Sequence, residues 1–226
     1  MRLTLLTWRG HEFIALTGEG DPALGAADAT RDLLTRCDAR LQPYGLSLDD
    51  TVRTRLFTRD RPGRDAASVA RRERLSGRAR SVSSSFIAPD RLDSAATLAL
   101  DLLALRPSRP GTERSAREYE PPRAPLRSLT TDGLVFLSGV TSSAGALAEQ
   151  VAVALAEIGE SLTTAGSGWD RVVLTSCFLH TSQDASVLLK LLPPALRDRR
   201  ARIECEPVDG YASPGCLVEI EVTATL

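Results

Sequence analysis

Apolar residues recur along this chain with two periods, and the periods change at regular places. Near the C-terminal end Val218, Ile220, Val222 and Ala224 alternate with Glu219, Glu221 and Thr223, the two-residue period of a strand with one covered face. Between positions 147 and 163 the apolar set is Leu147, Val151, Ala154, Leu155, Ile158 and Leu162, a 3.6-residue stripe that predicts an amphipathic helix. The same reading gives strands over 134–138 and 172–179 and a further helix over 184–196, interrupted at Pro193-Pro194. It pairs segments 202–208 and 216–226 as a hairpin turning at Asp209-Gly210 and Ser213-Pro214-Gly215.

The first half repeats this order. Two short apolar runs flank Arg9-Gly10-His11 and predict a hairpin over 1–17. A helix follows over 26–42, with Ala29, Leu33, Leu34, Cys37 and Leu41 on one side and Gly45 beyond its end. Next come a strand over 49–58, a helix over 65–75, and strands over 80–87 and 97–105. The two halves also align residue by residue. Asp49 and Asp170 are 121 positions apart, as are Phe57 and Phe178, and Thr17-Gly18 returns as Ser138-Gly139. Ala79-Arg80 returns as Ala201-Arg202, one residue out of step. A repeat this long is a whole domain. Each copy reads ββαβαββ, an α+β sandwich of one sheet with two helices on one face. The expected division is 1–106, a linker over 107–124 rich in Pro and Arg, and 125–226. In the last strand of that second domain the carboxylate-bearing face is expected to meet water or another subunit.

Composition narrows the function classes. A net charge of −1 with 25% charged residues gives no excess of positive charge for nucleic acid or an anionic membrane. The Arg-dense stretch 59–80 reads mostly as the solvated face of a helix. Cys37, Cys177, Cys205 and Cys216 lack metal-ligand spacing, so neither a metal site nor a disulfide framework is expected. No segment reaches eighteen consecutive apolar residues and no leader pattern opens the chain, which predicts a cytoplasmic protein. His11 and His180 have no acid and nucleophile beside them in the pattern. Trp8 and Trp169 read as caps on the apolar layer.

Four ordered motifs carry a resemblance: Gly133-Leu134-Val135-Phe136-Leu137-Ser138-Gly139, Trp169-Asp170-Arg171-Val172-Val173, Ala201-Arg202, and Val218 to Ala224. Together with Ser47–Thr54 and Ala79-Arg80-Ser81 in the first copy, they resemble the Rid (reactive intermediate deaminase, YjgF-type) family. The resemblance implies tandem chorismate-mutase-like domains, clefts between adjacent subunits of a homotrimer, and hydrolysis of reactive enamines and imines to a carbonyl compound and ammonia. It implies no metal and no cofactor, and a small acidic substrate as partner.

Carried onto this sequence, the resemblance gives Arg202 the role of holding the substrate carboxylate, for which a planar guanidinium is suited. Glu219 orients the hydrolytic water and accepts its proton. Ser138 and Gly139 line the cleft, and Arg80 is the counterpart of Arg202 in a first copy that has Ala99 in place of Glu219. The family's tyrosine near the domain start aligns with Pro125, so that contact is expected to be missing. The 202–219 segment is about two residues longer than the family pattern. Two other readings stay open: a biosynthetic tailoring enzyme (cyclase, dehydratase or chorismate-converting type) on this fold, and a non-catalytic ligand-binding protein.

Overall fold

The computed structural model describes residues 1–109, 111–123, 125–197 and 201–226. The chain divides into two compact units, Met1–Glu113 and Arg114–Leu226. Both are α+β, each a single sheet with helices on one face, so the chain is a tandem pair of chorismate-mutase-like domains.

In the first unit β1 (Arg2–Trp8) and β2 (His11–Glu19) form the hairpin, turning through Arg9 and Gly10, both at positive φ. Helix α1 (Ala26–Leu41) precedes β3 (Thr51–Thr58); α2 (Arg61–Arg74) leads to β4 (Val82–Ile87) and β5 (Leu98–Arg106) closes the unit. The strand order is β1-β2-β5-β3-β4, with β3 and β4 parallel. Leu33, Leu34, Cys37 and Leu41 of α1 bury their stripe against Leu16, Leu56, Leu100 and Leu102 of the sheet. Helix α2 starts four residues earlier than the pattern predicts, because the Asp60 side chain accepts from the Gly63 amide and Pro62 suits the first turn. Not all of its arginines are solvated. Arg71 is buried and donates to the Ser84 carbonyl at 2.6 Å and the Ser85 hydroxyl at 2.9 Å, tying α2 to β4.

The second unit repeats the plan with seven strands in place of five. Its elements are β6 (Arg114–Arg117), β7 (Ser128–Thr131), β8 (Leu134–Leu137), β9 (Val140–Thr141), α3 (Leu147–Thr164), β10 (Val172–His180), α4 (Ala185–Leu191), α5 (Pro194–Arg197), β11 (Arg202–Val208) and β12 (Val218–Thr225). Strand β6 is added, and β8 and β9 together take the place of β2. The order along the sheet is β11-β10-β12-β8-β7-β6, with β9 also on β12. Strand β6 lies inside the stretch that composition assigns to the linker. It pairs antiparallel with β7, opposite the side that β8 takes, because a four-residue run free of proline fits the open edge.

The predicted hairpin of 202–208 with 216–226 does not form. Strand β11 pairs parallel with β10, and β12 pairs antiparallel with the other side of β10. The α4–α5 segment makes the crossover that a parallel pair needs, so β10 sits between the two strands expected to be partners. The alternation in β12 sends Val218, Ile220, Val222 and Ala224 into the core with α3, as the pattern requires. The opposite face is not exposed: Glu219 is 5% and Glu221 2% accessible, so the expectation that this face meets water is corrected.

Candidate functional site

Register fixes which groups share the helix-free face of the second unit. Phe178 of β10 lies between Glu206 of β11 and Glu219 of β12, and Ser176 lies between Glu204 and Glu221. The Ser176 hydroxyl donates to Glu204 at 3.4 Å. This floor is acidic, and Glu219 and Glu221 are its buried carboxylates.

Glu219 owes its position to a break in the neighbouring strand. Glu219 and Ile220 pair with Thr141 and Val140 of β9, whereas Thr223 pairs with Phe136 of β8. The register slips by one residue between these pairs, leaving Ser138-Gly139 as a bulge, the kind of irregularity that re-aims groups beside sites. A Cβ on Gly139 would stand 1.9 Å from Glu219 Oε1 and 2.5 Å from its Cδ. The carboxylate therefore lies directly on the glycine, in space that any side chain would fill. Ser138 is buried next to it, and its amide donates to the Arg127 carbonyl at 3.4 Å.

Two buried phenols feel the Glu219 charge. Tyr211, in the connection between β11 and β12, is buried and donates from its hydroxyl to the Phe178 carbonyl at 2.9 Å, on the residue paired with Glu219. Burial and the nearby Glu219 charge both push its ionisation upward. The long 208–218 segment thus folds a phenol back under Glu219 instead of opening the cleft. Tyr119, eight-per-cent accessible, feels Glu157, Arg123, Arg127 and Glu219; burial first, then Glu157, pushes its pKa up to about 12. The Arg123 guanidinium stands over its ring, 4.6 Å from the centroid. A tyrosine is present near the domain start after all. It lies six residues before Pro125, within the Pro- and Arg-rich stretch 107–124.

The longer connection is held by Gln150 of α3, which is fully buried. Its amide donates to the Gly215 carbonyl at 2.9 Å and the Gly145 carbonyl at 3.2 Å, and its oxygen accepts from the Leu217 amide at 2.7 Å. Replacing it by Ala leaves three backbone groups without these partners, at about 1–3 kcal/mol for each that water cannot reach. Gln150→Ala is expected to lower the melting temperature and speed amide hydrogen exchange at Leu217. Unchanged exchange there would mean that the clamp does not hold the segment.

The predicted site residues do not all meet. Ser138, Gly139 and Glu219 are brought together. Arg202 opens β11 on the same face, but its side chain is 75% accessible and pairs with Glu204 at 2.9 Å. It stands opposite Leu174, four residues along β10 from Phe178. With ~3.3 Å per residue and ~4.8 Å per strand, its Cα is roughly 16 Å from that of Glu219. Arg80 belongs to the other unit, and register does not make it the counterpart of Arg202. In β4 the residue facing Arg53 is Val82, just as Arg202 faces Leu174; Arg80 lies two residues earlier, before the strand begins. Ala99 does occupy the counterpart of Glu219, opposite Phe57. The first unit has there a stacked Phe57–Phe86 pair with Arg91 over Phe57, bonded to Asp101 at 3.3 Å. Burial pushes the Asp101 carboxyl up, against Arg91, Arg55 and Arg53. The buried thiols Cys37 and Cys177 are pushed up to about 12 and stay protonated near neutral pH, which suits packing and not nucleophilic attack.

The model of the endoribonuclease L-PSP family matches residues 121–226. Among solved structures, a chorismatase is 17% identical, covering 99% of this chain and 77% of its own, with a TM-score of 0.68. A YjgF-family protein from Mycobacterium tuberculosis is 26% identical over 50% of this chain and 100% of its own (TM-score 0.44). Another from Neisseria meningitidis is 25% identical over 50% and 94% (TM-score 0.41). No curated protein matches. None of the helices described is long and apolar enough to cross a membrane.

Proposed function

We propose, because residues 121–226 belong to the endoribonuclease L-PSP (YjgF-type) family, that this protein hydrolyses an enamine or imine of a small 2-oxo acid. Glu219 is the group that handles water. The observation that carries this reading is the Glu219 carboxylate, buried against Gly139 on the bulge between β8 and β9. For 2-aminoacrylate, protonation at the terminal carbon gives the iminium form. Water then adds to C2, Glu219 taking its proton; the nitrogen receives that proton and leaves as ammonia, and the hydroxyl proton is released as the carbonyl forms, balancing the one first taken up. The products are pyruvate and ammonia, and no redox step is needed. Tyr119, held neutral, can donate a hydrogen bond to the developing charge.

The substrate carboxylate needs a cation. Arg123, over the Tyr119 ring, is one guanidinium near the site. Arg202 serves Glu219 only across copies, in the inter-subunit clefts of the homotrimer that the resemblance implies. The acidic floor of Glu204, Glu206, Glu219 and Glu221 is a poor match for a phosphate backbone, which weighs against RNA despite the family's description.

The whole-chain likeness to a chorismatase favours a second reading. An enolpyruvyl ether, CH2=C(OR)COO−, is the oxygen analogue of 2-aminoacrylate, and the same protonation and hydration release pyruvate and an alcohol. The test is one protein in two assays. A pyridoxal-phosphate-dependent dehydratase supplies 2-aminoacrylate, and 2-oxo acid release is followed in semicarbazide; chorismate is offered separately and pyruvate is measured. Acceleration of the first supports the imine reading, and pyruvate from chorismate alone supports the second. Silence in both overturns hydrolysis and leaves a binding protein. Arg123→Ala and Arg202→Ala, run alongside, are expected to raise KM for whichever guanidinium holds the carboxylate.

A further inference from the structure

Each unit has a sheet with two outer edges, and three of the four are guarded. Strand β11 carries Arg202, Glu204, Glu206 and Pro207; β6 carries Arg114 and Arg117; β4 is buried along most of its length. Charge, proline and cover are the usual means of keeping edges from pairing. Strand β1 has none of them between Leu3 and Trp8. Among the described residues it pairs only with β2, and Leu5 and Leu6 are 61% and 42% accessible on its two faces. In the second unit the strand in the same place, β7, does not end its sheet: β6 is added to it antiparallel. This edge of the fold therefore accepts a further antiparallel strand.

We propose that β1 pairs with β1 of a second copy of this chain, joining the two five-stranded sheets edge to edge about a two-fold axis. The sequence of the strand fits itself. A two-fold axis perpendicular to the sheet keeps each face on its own side, so paired residues must have numbers of equal parity. Centring on Leu5 pairs all of 2–8: Leu5 with Leu5, Thr4 with Leu6, Leu3 with Thr7, and Arg2 with Trp8. Leucine then covers leucine at the axis, as an isologous contact requires, and Arg2 lies on the face of the opposing indole. Backbone hydrogen bonds supply the adhesion and the leucines the register, as in other strand additions.

The test is the particle mass by sedimentation equilibrium. Whatever the stoichiometry set elsewhere, the Leu5→Lys/Leu6→Lys variant is expected to have half the mass of the wild-type particle, with an unchanged circular dichroism spectrum. A second variant guards against misfolding: Leu5→Cys in a Cys205→Ser background, mildly oxidised, is expected to cross-link to itself. Val69→Cys in the same background, exposed on α2, is expected not to. An unchanged mass in the lysine variant, or no cross-link through residue 5, overturns the proposal.

Discussion

Glu219→Gln is expected to lower kcat for imine hydrolysis by about 10²–10⁴-fold while changing KM little. Gln has the same shape and can lie on Gly139 as the carboxylate does, so packing, Tyr119 and Tyr211 need not move. It cannot accept a proton from water, and that is the only function removed. The loss should therefore fall on the chemical step, with binding retained. Thermal unfolding would separate this from a structural effect. A variant that keeps near wild-type turnover would end the case for Glu219 as the base, whatever the substrate.

Gly139→Ala should act on stability and activity together. The added methyl would occupy the place of the Glu219 carboxylate, 1.9 Å from Oε1, and the side chain is 5% accessible. Overpacking of this kind costs ~1–3 kcal/mol. The cause is testable by a double-mutant cycle. If the methyl clashes with Glu219, then in a Glu219→Ala background Gly139→Ala should cost much less, giving a coupling of about 1 kcal/mol or more. Additive losses would show that the bulge backbone, and not the carboxylate, demands glycine.

The helices and most strands could be read from the chain because their signal is local. The stripe of α3 and the alternation of β12 both predict which residues enter the core, and the packing of Val218, Ile220, Val222 and Ala224 against α3 follows from period alone. Alternation says which face a residue occupies, but not which strand lies beside it. For that reason period alone pairs β11 with β12, whereas the α4–α5 crossover places β10 between them. The same blindness put Arg80 level with Arg202: the Ala-Arg pair matches by letters, while the ladder matches Val82 to Arg202. Within the site, Ser138, Gly139 and Glu219 were visible as motif residues. Their closeness depends on a one-residue slip between β8 and β9 that no pattern announces. Tyr119 was missed because proline and arginine around it read as linker, and its burial is a long-range property.

Strand β6 changes what counts as the junction of this tandem chain. Among the described residues, 107–109 and 111–113 lie outside both sheets, between the end of β5 and the start of β6. A protease cutting there leaves two fragments, each with every strand of its own sheet. A cut after Arg123 instead strands β6 and Tyr119 on the wrong fragment. The released second domain would carry an uncovered β7 edge, prone to sticking to its neighbours, and a Glu219 that has lost one of its phenols. A gene fragment beginning at the apparent repeat boundary would therefore encode a piece that is shorter than the domain it is meant to represent.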